Sequence, residues 1–366
     1  MSDGVLPEDR EWMCRALALA PRGWGRTSPN PMVGCVIVRD GAVVGEGWHT
    51  EYGRPHAEVE ALARAGDAAR GATAYVTLEP CAHFGKTPPC TRALAAAGVA
   101  RVVFAAADPN PKAAGGAQVL REMGIDGVGP VDEQAVRDLD PVFFHAHSAE
   151  GARRPFIALK LALSLDARIA DRDRRSVWIT GDAARAETHR LRAGFDAVAV
   201  GIGTALADDP QLTVRGDVVP RIPPARVVFD RALRLPVDSK LARTAGEVPV
   251  MVVAEESASA ERVPALEAAG VRVLMHAPRL ERALVSLREA GIRSMFVEGG
   301  GEIASALLRA GVVDRLYLFY APVFLGPQAL SPFAGIDSPP IDAAPRWRHV
   351  GTDAFGADTL VTLTRE

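Results

Sequence analysis

Apolar and polar positions along the chain fall into blocks that predict strands and helices in alternation. Trp12, Leu17 and Leu19 recur at helical spacing within Glu8–Ala20, and Pro21 stops that helix. Short apolar runs predict strands at Val33–Val38 and, past the Arg39-Asp40-Gly41 turn, at Val43–Trp48. Pro55 opens a helix over His56–Ala65, closed by Gly66. A strand at Ala74–Leu78, a helix at Cys90–Ala97 ending at Gly98 and a strand at Arg101–Ala105 follow. Beyond a small, polar segment at 146–155 the alternation resumes. Strands are predicted at Phe156–Leu161, Ala197–Val200, Arg226–Phe229, Val248–Val253, Val271–Leu274, Ser294–Val297 and Asp314–Tyr320. Helices fit Asp182–Ala193, Ala260–Ala269, Leu280–Ala290 and Glu302–Ala310, most of them followed by a glycine (Gly194, Gly270, Gly291, Gly311) that suits a C-cap. The pattern predicts two α/β domains, at 1–147 and 153–366, the second with a sheet of about that many strands.

Composition narrows the class. The 366 residues are 48% apolar and 24% charged, which excludes disordered and fibrous chains. Forty-two basic residues against 45 acidic ones give a formal charge of −3, no footprint for nucleic acid or an anionic membrane. No apolar run is long enough to span a bilayer, and Asp3, Glu8, Asp9 and Glu11 at the start do not suit a signal peptide. A cytoplasmic protein is expected. Four cysteines are too few for a disulfide framework and leave metal binding, catalysis or burial. Cys14 and Cys35 are expected to be ordinary buried thiols.

Chemistry enters with Pro55-His56-Ala57-Glu58, then Glu79-Pro80-Cys81 and Pro89-Cys90. One imidazole and two thiolates from His56, Cys81 and Cys90 give a tetrahedral zinc three ligands and leave a fourth position for water. Two thiolates balance the charge of Zn²⁺, and Glu58, two residues from His56, can take the water's proton. The order H-x-E…P-C…C is that of zinc nucleobase deaminases, where the glutamate is a proton shuttle. A structural zinc site is the alternative, with His83 as fourth ligand. The cysteines are spaced C-x₈-C rather than C-x-x-C. The intervening loop can hydrogen-bond a ring and set Lys86 against a phosphate, which points to a substrate larger and more anionic than cytidine. Ser28-Pro29-Asn30-Pro31 reads as a rigid turn, and His49 precedes the metal loop.

Asn30-Pro31, Val33-Gly34-Cys35-Val36, Gly47-Trp48-His49, His56-Ala57-Glu58 and the run from Glu79 through Thr87-Pro88-Pro89-Cys90 together resemble the bifunctional deaminase/reductase family of riboflavin biosynthesis. The resemblance continues through the second half. It implies a cytidine-deaminase-like three-layer αβα domain followed by a dihydrofolate-reductase-like α/β domain. The first would deaminate 2,5-diamino-6-ribosylamino-4(3H)-pyrimidinone 5′-phosphate with one zinc per chain, Glu58 being catalytic. Asn30, His49, His83, Lys86 and Thr87 would line its substrate side.

In the second half, Phe296-Val297-Glu298-Gly299-Gly300-Gly301-Glu302 reads as a strand, a glycine turn and a helix start, suited to a phosphate. By letter it fits G-x-G-x-x-A. A Rossmann domain would need several further strand–helix units, and only about 60 residues remain. Leu159–Asp166, Ser176-Val177-Trp178-Ile179-Thr180 and Val200–Arg215 match the reductase half of the same family. The resemblance implies reduction of 5-amino-6-(5-phosphoribosylamino)uracil to its ribitylamino product by NADPH. Substrate contacts would be Ser176, Arg192, Leu212, Arg215 and Glu298, the arginines holding the 5′-phosphate. Cofactor contacts would be Ala162, Trp178, Thr204, Asp208 and the turn Gly300, Gly301, Glu302, Ile303, Ala304, Ser305 and Ala306. Phosphorylated pyrimidines are the expected partners, with no nucleic acid or membrane, in a homo-oligomer. The competing reading is another zinc nucleotide deaminase whose second domain is non-catalytic or regulatory.

Overall fold

Met13, Ala16 and Leu19 share the buried face of the first helix, α1 (Asp9–Leu19), and that face lies on a five-stranded sheet. The structure is a computed structural model that describes residues 4–176, 178–337 and 339–366. Val177, inside the Ser176–Thr180 match, lies outside the described residues. The chain divides into two units, Met1–Ser148 and Ala149–Glu366.

The first unit's strands are β1 (Gly34–Arg39), β2 (Ala42–Trp48), β3 (Thr73–Leu78), β4 (Arg101–Ala106) and β5 (Asp126–Val128), in the order β2-β1-β3-β4-β5. β1 runs antiparallel to β2 and β3, while β3, β4 and β5 are parallel. Asp40 and Gly41 both take positive φ, 51° and 73°, in the two-residue β1–β2 turn, as a tight hairpin of right-handed strands favours. Alternation along the strands feeds two cores. Val36, Val38, Tyr75 and Val103 face α1, α5 (Glu133–Leu139) and α6 (Pro141–Ala146). Cys35, Ile37, Ala74 and Val102 face α2 (Ala57–Ala65), α3 (Cys90–Ala97) and α4 (Gly116–Glu122). That is a three-layer αβα unit. Gly47 lets α2 sit close against β2: a Cβ there would stand 2.3 Å from the Ala57 carbonyl oxygen. Cys14 is exposed, not buried, because it lies on the outward face of α1.

Asp9 is wholly buried and ties α1 to the sheet. Arg101 donates to both its carboxylate oxygens at 2.7 and 2.8 Å, and the Tyr75 hydroxyl and Leu6 N–H add 3.1 and 2.7 Å bonds. Burial alone would raise the Asp9 carboxyl, but Arg101 and these donors outweigh it and hold it below its ordinary value. A depressed folded-state pKa gives stability that is present above about pH 4 and lost as pH falls through the folded value. Asp9→Asn is therefore expected to destabilise the first unit by about 2–4 kcal/mol at pH 7. In urea unfolding followed by far-UV circular dichroism, the gap to the parent should narrow below about pH 4. A gap that does not change with pH would remove the ion pair as its cause.

The second unit holds β6 (Phe156–Ser164), α7 (Asp182–Arg192), β7 (Ala197–Gly201), α8 (Ile202–Asp208), β8 (Ala225–Phe229), α9 (Lys240–Arg243) and β9 (Val250–Glu255). It continues with α10 (Val263–Ala268), β10 (Arg272–His276), α11 (Leu280–Glu289), β11 (Ser294–Glu298), α12 (Gly301–Arg309), β12 (Arg315–Ala321), β13 (Trp347–Phe355) and β14 (Asp358–Arg365). Its sheet has nine strands in the order β10-β9-β8-β7-β11-β6-β12-β14-β13, parallel from β10 through β12. The closing hairpin β13–β14 is antiparallel and was not expected: β13 is half-exposed and polar, so it lacks an apolar run. Gly270, Gly291 and Gly311 take positive φ after their helices, whereas Gly194 does not.

The chain leaves β6, steps outward through β7, β8, β9 and β10, and returns to place β11 between β7 and β6. Parallel sheets of this kind open a crevice at the carboxyl ends of the strands, where the direction of winding changes. Glu298 ends β11, and the glycine turn and α8 follow β11 and β7 at that same edge.

Candidate active sites

In the first unit, Pro55 and the extended backbone of His56 lead into α2, which puts Glu58 in its first turn. Cys81 follows the end of β3, and Cys90 begins α3 behind Pro89. The fold brings the three donors together. His56 Nδ1 lies 3.7 Å from Cys81 Sγ and 3.3 Å from Cys90 Sγ, and all three atoms lie within 4.8 Å of one another. Such separations are the edges of a tetrahedron with bonds of about 2.0–2.3 Å, so the residues fit zinc. His83 is not part of this cluster, which among the described residues offers three protein donors. The Cys90 N–H donates to Cys81 Sγ at 3.4 Å, so the first amide of α3 favours the thiolate. The Cys81 thiol is pulled well below its ordinary range, chiefly by the Cys90 thiol and then by His56.

Glu58 is only 3% exposed. Burial pushes its carboxyl up, partly countered by His56, and the Cys90 side chain hydrogen-bonds to it. It therefore stands beside the donor cluster as a carboxyl poised to hold a proton.

The other expected residues divide into support and pocket. His49 is 1% exposed, and burial pulls its imidazole below its ordinary value. Its Nδ1 bonds the Pro55 carbonyl at 3.0 Å and its Nε2 meets the Asn30 amide at 3.3 Å, so both nitrogens are engaged. The ring packs edge-on against His56, 5.2 Å between centroids. His49 thus braces the metal loop, and Asn30 braces His49. Thr87 Oγ1 lies 3.4 Å from His56 Nε2. His83 Nδ1 is buried without a hydrogen-bond partner. Lys86 is exposed and reaches over the Tyr52 ring at 4.2 Å.

Asp108 and Asn110, not singled out in the sequence, adjoin this site. Asp108 is pushed up to about 6, first by burial and then by Glu79 and Cys81, while the Asn110 N–H and His83 oppose the shift. The Asn110 N–H donates to Asp108 Oδ1 at 2.8 Å, and the Asp108 N–H reaches Glu79 Oε2 at 3.4 Å. The pairing explains their place: β4 lies parallel beside β3, so Asp108-Pro109-Asn110 at its end stands near Cys81, a neighbour the sequence alone does not give.

In the second unit, Arg192 and Glu298, 106 residues apart, form a nearly buried pair. Arg192 Nε and Nη2 donate to the two Glu298 carboxylate oxygens, its Nη1 donates to the Thr213 carbonyl at 2.7 Å, and the same nitrogen lies 3.3 Å from His189 Nδ1. Burial would raise the Glu298 carboxyl, but Arg192, and less strongly Lys160, hold it below its ordinary value. Lys160, also missed in the sequence, is pulled down by burial and steadied by Glu298. A lysine inside the apolar run of β6 carried its own signal, because a buried cation needs a partner.

The cofactor candidates lie along the strand ends. Gly300 caps α12 with extended backbone, and a Cβ there would stand 3.1 Å from Thr204 Oγ1; one at Gly301 would meet the Ser331 carbonyl at 3.0 Å. This backbone is bare at a helix N-terminus, the setting that fits a nucleotide phosphate. Glu302 is exposed, while Ile303, Ala304 and Ser305 are buried, and Ser305 Oγ donates to the Pro332 carbonyl at 2.9 Å. Those side chains belong to the core, so only their backbone can face a ligand. The same holds for Leu212, 4% exposed in an apolar cluster. Trp178 is 70% exposed under the Arg185 guanidinium, and Ser176, Asp208 and Arg215 are exposed; Ala162, Thr204 and Ala306 are half-buried.

Comparison with known proteins agrees with both halves. The cytidine and deoxycytidylate deaminase zinc-binding region matches residues 6–106, and the RibD C-terminal domain matches residues 155–361. The riboflavin biosynthesis protein RibD of Actinobacillus pleuropneumoniae is 39% identical over 96% of this chain and 94% of its own. That of Escherichia coli strain K12 is 40% identical over 94% and 98%. Among solved structures, Acinetobacter baumannii RibD superposes with a TM-score of 0.83 at 40% identity, covering 98% and 99% of the two chains. The Thermotoga maritima diaminohydroxyphosphoribosylaminopyrimidine deaminase/5-amino-6-(5-phosphoribosylamino)uracil reductase gives 0.82 at 36%, with the same coverage. Similarity of this extent, running through both units, makes the chain a member of the RibD family, the bifunctional deaminase/reductases of riboflavin biosynthesis.

Proposed function

We propose that the two activities run on the residues just placed. His56 Nδ1, Cys81 Sγ and Cys90 Sγ hold the zinc of the first site. Bound there, the metal supplies a Lewis acid that lowers the pKa of a coordinated water toward neutrality. Glu58 would accept the proton from the attacking water and deliver it to the ring nitrogen, then take the second proton from the hydroxyl of the adduct as it becomes the carbonyl and pass it to the departing amine. One C–N bond breaks, one C–O bond forms, and ammonia leaves the diaminopyrimidine phosphate. His83 Nδ1, Thr87 and Asn30 meet the pyrimidine, with Asp108 and Asn110 beside them, and Lys86 meets the phosphate.

In the second site the dinucleotide, NADPH, supplies the hydride that reduces the sugar carbon attached to nitrogen. The Gly299–Gly301 turn and the α12 N-terminus hold its phosphates. Glu298 and Lys160 stand at the reacting end, and Arg192 keeps Glu298 ionised and oriented. Because Arg192 makes these bonds with Nε, Nη1 and Nη2, a single Nη2 N–H remains for substrate, and Arg215 with Ser176 carries most of the 5′-phosphate.

The observation that carries this reading is the three-donor cluster with Glu58 buried against it. Incubation with the diaminopyrimidine phosphate should release ammonia without NADPH. Oxidation of NADPH, seen at the nicotinamide absorbance, should begin only after deamination. A zinc chelator should stop the ammonia but not the reduction of supplied aminouracil phosphate. Ammonia release that resists exhaustive metal removal would refute the zinc site, and NADH serving as well as NADPH would refute the cofactor assignment.

A further inference from the structure

The connection between α8 and β8 carries Leu212 and Arg215, and it is held in a backbone shape that side-chain-bearing residues avoid: φ is 39° at Asp209 and 53° at Leu212. Such strain persists only where the surroundings over-determine the conformation. Four hydrogen bonds do so here. The Lys240 N–H donates to Asp209 Oδ1 at 2.8 Å, and buried Arg226 reaches the Gln211 carbonyl at 3.4 Å. Arg192 Nη1 donates to the Thr213 carbonyl at 2.7 Å, and the Arg215 N–H donates to His189 Nδ1 at 3.2 Å. The last of these fixes the residue whose guanidinium is assigned to the phosphate.

His189 lies on α7 one turn before Arg192, whose Nη1 is 3.3 Å from the same Nδ1. Two N–H groups thus converge on one ring nitrogen, which must present its lone pair. The ring then carries its hydrogen on Nε2. Its surroundings enforce this. Burial comes first, then the Arg192 and Arg215 guanidinium groups, and together they bring the imidazole down to about 4, with Glu298 and the Thr213 backbone only partly opposing them. The ring is therefore uncharged at neutral pH, and its hydrogen bonds do not switch in the physiological range.

We propose that His189 is a positioning residue of the reductase, its Nδ1 holding the Arg215 backbone and Arg192 Nη1 so that the phosphate-binding loop is set before substrate arrives. The inference rests on the reading that Arg215 meets the substrate phosphate. It concerns binding rather than hydride transfer, so KM and kcat should respond differently.

The test uses the full-length zinc enzyme with His189→Leu, His189→Asn and Arg215→Ala. Reductase KM and kcat, NADPH binding by fluorescence, and ammonia release are measured for each. His189→Leu removes the acceptor at similar size and should raise the reductase KM about tenfold, with kcat and NADPH affinity within about threefold of the parent. Asn places an oxygen near the Nδ1 position, so His189→Asn should restore KM to within about threefold. Ammonia release should stay at the parental rate throughout. A raised KM in Arg215→Ala with an unchanged one in His189→Leu would overturn the role of His189 and leave the phosphate reading standing. An unchanged KM in Arg215→Ala would overturn the phosphate reading itself. Joint loss of kcat and NADPH binding in His189→Leu, or no rescue by Asn, would show that His189 merely supports the fold.

Discussion

Glu58→Gln is expected to lower the deamination rate by about 10²–10⁴-fold while zinc stays at one ion per chain and reduction of supplied aminouracil phosphate continues. The amide matches the carboxyl in size and keeps a hydrogen-bonding oxygen, but it cannot take up the proton that water must lose. The geometry separates shuttle from ligand. The donor cluster consists of one imidazole nitrogen and two sulfurs, and the Glu58 carboxyl lies beside it, buried from solvent. Burial favours its protonated form, so a proton once taken up is held until the ring or the leaving amine receives it. Metal analysis alongside ammonia release checks the prediction. If the Gln variant loses its zinc together with its activity, Glu58 is a ligand and the shuttle mechanism falls.

Arg192→Ala should damage the second site more deeply than a lost phosphate contact would. The family resemblance, which makes Arg192 a phosphate contact, implies only a higher reductase KM. In the structure the guanidinium neutralises Glu298, and both side chains are nearly buried. Removing it leaves a nearly buried carboxylate with Lys160 as its remaining strong partner, and breaking a buried pair in this way costs about 3–5 kcal/mol. It also frees the Thr213 carbonyl and one tie of the strained loop. Reductase kcat and KM should both worsen, by about a hundredfold or more in kcat/KM, and the second unit should unfold at lower urea. Ammonia release should be spared. Arg192→Lys keeps the charge but not the two-pronged geometry, so it should recover stability before it recovers rate. A variant in which KM alone rises, with kcat and the urea midpoint intact, would show Arg192 to be a phosphate clamp and nothing more.

The legible parts of this chain are those whose signals are local. Cys90–Ala97 stands out as a helix because Pro89 precedes it and Gly98 takes φ 73° after it. The Asp40-Gly41 turn is equally plain. Segments from 107 to 147 are harder: β5 has three residues, and α4, α5 and α6 have seven, seven and six, fewer than periodicity needs. The donor cluster of His56, Cys81 and Cys90 was legible from chemistry, since few roles suit a histidine, a glutamate and two cysteines in that order. Which residues brace them was not. His49 is a scaffold for His56 because its two nitrogens are taken by Pro55 and Asn30, a fact of three-dimensional contact.

Taken alone, the order of residues determined two successive α/β halves, the histidine and two cysteines that gather into one donor cluster with a carboxyl beside it, and the glycine turn after β11. Each follows from a short stretch in which backbone period, capping residue or donor type acts over one or two turns. Only the tertiary structure decided that β11 returns between β6 and β7, that Arg192 grips Glu298, and that His189 holds the strand of chain carrying Arg215. These pairings join residues from 26 positions apart, His189 and Arg215, to 138 apart, Phe156 and Ser294. Periodicity says which face of an element is apolar, but not which distant face will cover it. That choice is made when the whole core closes and every buried charge must find its partner.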